Sequence, residues 1–260
     1  MSELAIESLS QRAVIALDRL DNDLAGWIDR TLVRTGLVAP ALFEDAFVAV
    51  VTSTAVDPDD AWLAFYRNTV AALAGDPVPG GTNAEQQPVH ERAAALTIGP
   101  DVVELGCCFG FLALRLARAG HHVTAVDLAG GTIALLARTA PLLDAFPGTL
   151  TTLTADARAV PLPSGTADTV LAVHLLEHLS EAAGRDVLAE MLRLARRRVV
   201  IAVPYEETPN AAWGHVRRFD ATALAELGRW CDRPYTVVDH HGGWLVVDVC
   251  ETAQIHGRQG

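Results

Sequence analysis

From residue 101 onward, short β-rich runs alternate with amphipathic helical patterns, and no other feature restricts the fold of this chain so tightly. Segments 102–105, 123–126, 150–154, 169–173 and 199–203 read as strands, and 111–119, 132–138 and 182–197 as helices. Strands joined through helices run parallel, and a parallel sheet is stable when helices cover both faces. The end of the chain departs from this. After a helix over 221–230, the runs 235–238 and 244–247 flank His240-His241-Gly242-Gly243, which reads as a hairpin with a glycine-containing turn.

Residues 1 to about 80 carry only helical signals. Ala13-Val14-Ile15-Ala16-Leu17 with Leu20, Leu24, Ile28 and Leu32 forms an apolar stripe at helical spacing. Phe43, Phe47 and Val51 mark a second helix. Asp57 caps a third, with Pro58 at its first position, running through Trp62, Phe65, Val70 and Leu73. Gly75-Asp76-Pro77-Val78-Pro79-Gly80-Gly81 reads as a linker, and a short helix over 91–97 follows it. The expected organisation is a helical cap over 1–80 and an α/β domain over 81–260.

Half of the 260 residues are hydrophobic, enough for a substantial core. No apolar run approaches the length of a membrane span, and the acidic N-terminus lacks the layout of a signal peptide. The expectation is a cytoplasmic protein with no membrane partner. A formal net charge of −12 argues against a nucleic-acid partner and for a neutral or cationic small molecule or a sugar. The basic cluster Arg193, Arg196, Arg197 and Arg198 is expected at a helix C-terminus. The absence of lysine removes Schiff-base and phosphate-loop chemistry. Cys107, Cys108, Cys231 and Cys250 form no CxxC pair, so neither a disulfide framework nor a zinc cluster follows. Nothing in the sequence sets an oligomeric state.

Glu104-Leu105-Gly106-Cys107-Cys108-Phe109-Gly110 lies between a strand and a helix, where a sharp turn lets backbone N–H groups approach a ligand. It is not the dinucleotide fingerprint, because Cys108 stands where a second glycine would be. Asp127 ends the next strand, where a carboxylate accepts from ribose hydroxyls.

These residues resemble the class I S-adenosylmethionine-dependent methyltransferases, whose pattern here is acidic, apolar, Gly, any, Gly, any, Gly. Glu104, Gly106 and Gly110 match it and Cys108 departs at the middle glycine. The parallel sheet ending in an antiparallel strand is also that family's arrangement. The resemblance implies a Rossmann-like fold and S-adenosylmethionine held by Glu104, Gly106, Cys107, Gly110, Asp127, Leu128, Asp156, Ala157 and His174. Asp156 would accept from the adenine amino group, and the backbone of Ala157 would contact the ring.

Beyond strand 169–173 comes His174-Leu175-Leu176-Glu177-His178. A helical turn would place residues 174, 177 and 178 on one face, with His215 arriving from a later loop. Three readings stay open. The segment is an ordinary post-strand element. Or His174, Glu177, His178 and His215 hold a divalent ion (Mg, Mn or Zn), whose charge would lower the pKa of a chelated hydroxyl. Or a histidine (His174, His178 or His215) serves as the catalytic general base. The segment resembles the Glu-x-x-Glu-His of ubiquinone-type O-methyltransferases and small-RNA 2′-O-methyltransferases, with His174 replacing the first Glu. H-x-x-E-H is also an inverted zinc-peptidase signature, which needs a long helix.

Four stretches are similar to mycofactocin oligosaccharide methyltransferases: 60–69, 104–111, 173–179 and 240–244. That similarity implies an oligosaccharide acceptor and 2-O-methylation of a glucose. Arg217 is a candidate for holding a polar substrate, or for a surface ion pair. From a different class, a non-catalytic protein that binds S-adenosylmethionine or a nucleotide remains open.

Overall fold

The computed structural model describes residues 15–249. Its centre is a seven-stranded sheet: β1 (Asp101–Leu105), β2 (His122–Asp127), β3 (Thr149–Thr154), β4 (Ala167–Val173), β5 (Ala195–Val203), β6 (Tyr235–Asp239) and β7 (Gly243–Asp248). The spatial order is β3-β2-β1-β4-β5-β7-β6. The first five strands pair in parallel, while β7 runs antiparallel to β5 and β6 antiparallel to β7. The expected sheet and its closing hairpin are both present.

Strands β1 and β4 are buried almost throughout, as their mainly apolar sequences favour. Neighbouring residues feed opposite faces: Val102, Leu171 and Val200 join one apolar cluster, and Val103, Val170 and Ile201 the other. Strand order reverses between β1 and β4, and in open α/β sheets ligands bind at such a point, beyond the strands' carboxyl ends. The loops after β1 and β4 therefore share one crevice.

Among the described residues eight α-helices surround the sheet: α1 (Asp23–Ile28), α2 (Phe43–Thr52), α3 (Pro58–Ala74), α4 (Thr82–Leu96), α5 (Phe111–Arg118), α6 (Gly130–Thr139), α7 (Glu181–Leu194) and α8 (Ala221–Trp230). The Asp57 side chain caps α3 by accepting from the Asp59 N–H at 2.9 Å. Buried side chains of α1 to α4 merge with those of α5 and α6 in one cluster. At its centre Phe65 of α3 has ring centroids 5.6 Å from Phe47 and Trp62, 5.2 Å from Phe109 and 5.6 Å from Phe111. No helix among the described residues is long and apolar enough to cross a membrane.

Three expectations need correction. The single helix expected around 13–32 is broken. A 3₁₀ turn over Leu17–Arg19 precedes α1, and a π turn over Asp29–Val33 follows it. The Asp21 carboxylate accepts from the Asp23 N–H at 2.8 Å, and this local bond competes with a continuous helix. Ala13 and Val14 of that stripe lie outside the described residues, as does Cys250.

The short helix expected at 91–97 begins instead at Thr82 and runs through Pro88. Its start is held from outside: Asp23 accepts from the Asn83 N–H at 2.8 Å and Thr82 Oγ1 from the Gly26 N–H at 3.0 Å.

The basic cluster is not at a helix end as a group. Helix α7 stops at Leu194, and Arg196, Arg197 and Arg198 lie on β5. There Arg196 pairs with Asp101 at 2.6 Å and Asp168 at 3.1 Å, and Arg198 with Asp248 at 2.9 Å.

Candidate active site

The loop after β1 is built on left-handed backbone. Gly106, Cys108 and Gly110 have φ of 75°, 48° and 76°. Cys108 departs from glycine in side chain but adopts the conformation that glycine supplies there. Space is also short, because a Cβ on Gly106 would stand 2.9 Å from Leu175 Cδ1, and one on Gly110 would collide with Leu136. The Gly106 and Cys107 N–H groups both donate to the Val126 carbonyl of β2, at 2.8 and 3.0 Å.

Asp127 closes this loop from the tip of β2. Its Oδ2 accepts from the Cys108 N–H at 2.8 Å and its Oδ1 from the Ala129 N–H at 2.9 Å. Next to it Leu128 is 71% exposed, a large apolar side chain presented at the strand tip. The tip of β3 is tied to the same place by the Ala155 N–H donating to the Asp127 carbonyl at 3.0 Å.

Asp156 follows at once, and its neighbour Arg158 already engages it. The guanidinium contacts both carboxylate oxygens, with Nη2 2.6 Å from Oδ2, and holds the carboxyl down at about 2. A ligand donor reaching Asp156 must share it with that guanidinium. Ala157 is half-buried beside it.

Glu104 lies beneath the loop, 4% exposed. Burial pushes its carboxyl up to about 8 despite a hydrogen bond from the Ala113 backbone, and its Oε2 has no partner. The acceptor thus caps the first turn of α5, whose own N-cap residue, Gly110, has no side chain to do so.

The chain leaves β4 through His174, whose φ is 53°, and whose N–H donates to the Ala202 carbonyl at 2.9 Å. Burial pulls its imidazole down to about 4, helped by the charges of His215 and His178. A three-residue 3₁₀ turn, Leu176–His178, follows. The Glu177 carbonyl accepts from the N–H groups of Val216 and Arg217 at 2.9 and 3.1 Å, docking the loop that carries His215.

This brings Glu177, His178 and His215 together, each offering a ligand atom within 4.8 Å of the others. His174 is not in that group, which corrects the expected four-residue set. The left-handed turn puts His174 ahead of the 3₁₀ turn, so no helical face joins it to 177 and 178. For the same reason the H-x-x-E-H signature is not displayed on a long helix, as the peptidase reading requires.

The three residues fit a divalent ion. Glu177 is 1% exposed with neither carboxylate oxygen hydrogen-bonded to another residue, and burial pushes it up to about 8. An orphaned carboxyl in a protein interior is costly unless something pairs with it. Each imidazole has one nitrogen engaged from behind: His215 Nδ1 lies 2.7 Å from Glu206 Oε2, and His178 is hydrogen-bonded to the Gly214 backbone. Metal-binding histidines show this backing, since it fixes tautomer and ring orientation. The two rings meet edge-on with centroids 4.9 Å apart.

Sequence reasoning missed Glu206 and Gly214. Glu206 lies in an irregular loop whose sequence carries no spacing signal, and the docking of residue 215 gives it its histidine partner. It also missed His90 on α4, 8% exposed, with Nδ1 unpartnered and burial pulling its imidazole down to about 3. Arg217 makes no ion pair among the described residues. Its guanidinium stacks 4.3 Å from the Phe219 ring centroid, with Nη1 unpartnered.

A seven-stranded sheet of this order, flanked by helices and closed by an antiparallel hairpin, is the Rossmann-like fold of class I methyltransferases. Residues 102–198 match the family model described as a methyltransferase domain.

A Mycolicibacterium smegmatis protein described as a probable S-adenosylmethionine-dependent methyltransferase is 30% identical over 148 residues, 54% of this chain. The chain spans 54% of that relative's length. Magnesium protoporphyrin IX methyltransferase from Synechocystis, solved with bound SAH, superposes with a TM-score of 0.52 at 15% identity, covering 70% of this chain and 92% of its own. An S-adenosylmethionine-dependent methyltransferase from Aquifex aeolicus gives 0.51 at 16% identity, covering 69% and 96%. The family model covers residues 102–198 of the chain, and the two solved structures share its fold.

Proposed function

We propose that the chain transfers the methyl group of S-adenosylmethionine to a hydroxyl of a small polar, sugar-containing acceptor, with a divalent ion at Glu177, His178 and His215. The observation that carries the methyltransferase reading is the left-handed triplet Gly106, Cys108 and Gly110 clamped by Asp127. It keeps side chains off the backbone at 106 and 110 and holds a carboxylate at the neighbouring strand tip.

S-adenosylmethionine supplies a sulfonium-activated methyl group. The loop 106–110, Asp127, Leu128, Asp156 and Ala157 would hold it, with Asp127 on the ribose and Leu128 against the adenine face. The chain's work in such a displacement is to align acceptor oxygen, methyl carbon and sulfur and to exclude water. Helices α2 and α3 would form the lid, since their rings pack on Phe109 of the loop.

A divalent ion at the cluster would supply Lewis-acid activation of a hydroxyl. Two histidines and one carboxylate leave coordination positions open, which suits two neighbouring hydroxyls of a sugar. His174, outside the cluster and kept neutral by burial, is the remaining group placed to accept a proton. The similarity to mycofactocin oligosaccharide methyltransferases supports glucose 2-O-methylation as the reaction.

Calorimetry with S-adenosylmethionine and NAD, followed by methyl-transfer assays on a panel of sugars with and without chelator, tests the reading. Binding of S-adenosylmethionine alone and chelator-sensitive turnover are expected. Turnover unchanged by chelator removes the metal, and no binding of S-adenosylmethionine removes the enzyme assignment.

A further inference from the structure

We infer that Glu206 is a positioning residue for the cluster: its carboxylate fixes the tautomer and ring orientation of His215, so that Nε2 faces Glu177 and His178. The inference rests on the metal reading above and deepens it.

Glu206 lies three residues past β5, and its Oε2 is 2.7 Å from His215 Nδ1. The pair is shielded, with side chains 9% exposed for His215 and 23% for Glu206, so water competes weakly for this bond. A carboxylate only accepts. The proton of a neutral imidazole facing it therefore sits on Nδ1, and the lone pair is left on Nε2. The same oxygen accepts from the Asn210 backbone N–H at 3.4 Å, which steadies the carboxylate.

The backbone around His215 has separate anchors in the Val216 and Arg217 N–H bonds to the Glu177 carbonyl. Removing the Glu206 side chain should leave residues 216 and 217 docked on Glu177 while freeing the ring. On His178 the equivalent support comes from the backbone of Gly214, which side-chain substitution cannot remove. Glu206 is thus the support that mutagenesis can isolate.

The test uses the full chain as wild type, Glu206→Ala and Glu206→Gln. Mn²⁺ affinity is measured by calorimetry, and the His215 tautomer by ¹⁵N NMR of the metal-free protein. We expect His215 of the wild type to carry its proton on Nδ1. Glu206→Ala should lose that preference and bind Mn²⁺ about 10- to 100-fold more weakly, with affinity for S-adenosylhomocysteine unchanged. Glu206→Gln, whose amide oxygen still accepts, should recover part of the loss. Equal Mn²⁺ affinity in Glu206→Ala and wild type, or a wild-type proton on Nε2, would overturn the inference. If the wild type binds no Mn²⁺ the metal reading falls, and the tautomer measurement then decides the role of Glu206 by itself.

Discussion

The N–H of Cys108 donates to the Asp127 carboxylate at 2.8 Å, so the residue that breaks the glycine pattern is the one the next strand's acid holds in place. Asp127 orders the loop through Cys108 and Ala129 and, under the proposed function, would also offer acceptor capacity to a ligand. Asp127→Ala removes both. Hydrogen bonds to a charged group contribute about 1.5–3 kcal/mol, which sets the expected loss of S-adenosylhomocysteine affinity at about ten- to a hundredfold. Titration calorimetry measures it, with circular dichroism to show that the variant is folded. Unchanged affinity would remove Asp127 from the binding site.

Cys108 holds a left-handed backbone with φ of 48° and an exposed side chain. A non-glycine residue gives up about 1–2 kcal/mol there, while glycine's freer unfolded chain returns about 0.4–1 kcal/mol of that. We expect Cys108→Gly to raise stability by up to about 1.6 kcal/mol, since the side chain is exposed. Cys108→Val should lower it, because a branched Cβ tolerates this region worst. Urea denaturation of the two variants reads the sign.

Phe65 is fully buried and touches rings from both the N-terminal helices and the glycine loop. Phe65→Ala should cost about 3–5 kcal/mol. The shared cluster also implies that helices and sheet unfold together in the wild type. Fluorescence and far-ultraviolet circular dichroism should give coincident urea transitions; two separated transitions would show that the cap is energetically independent.

The pH dependence of the ligand-free protein follows from its buried groups. The Glu104 carboxyl is pushed from 4.5 to about 8 in the fold. Between those values the unfolded chain has released a proton that the folded chain keeps, so stability falls as pH rises. Glu177 contributes with the same sign. His90, pulled from 6.5 to about 3, acts oppositely below pH 6.5, where only the unfolded chain is protonated. Above 6.5 the carboxyl effect stands alone. We expect Tm to decline from pH 6.5 to 8, and Glu104→Gln to remove about half of that slope. Scanning calorimetry across this window checks it; an unaltered slope would exclude Glu104 as the source.

Much of the molecule was legible because local signals agreed with the final packing. Asp57-Pro58 starts a helix wherever it lies, and the runs in β1 and β4 can only be buried strands. The placement of Glu104, Gly106, Gly110, Asp127 and Asp156 at strand ends and turns was recognisable because both are local objects. Two boundaries were not legible. The polar residues 82–90 have no apolar stripe, and their helix is held by Asp23 and Gly26 from a distant segment. Residues 195–198 continue a helical pattern, yet pairing with β4 and ion pairs to Asp101, Asp168 and Asp248 make them strand.

By itself, then, the amino-acid order determined the strand–helix alternation, the turn chemistry after β1 and the presence of Glu177, His178 and His215. Periodicity and backbone preference act over a few residues and need no partner. The tertiary structure decided which of these side chains meet. A left-handed turn at His174 withdrew it from the cluster, the docking of residues 216 and 217 on the Glu177 carbonyl brought His215 in, and Glu206 acquired its role only through that docking. Such contacts join residues far apart along the chain, and no local preference encodes them.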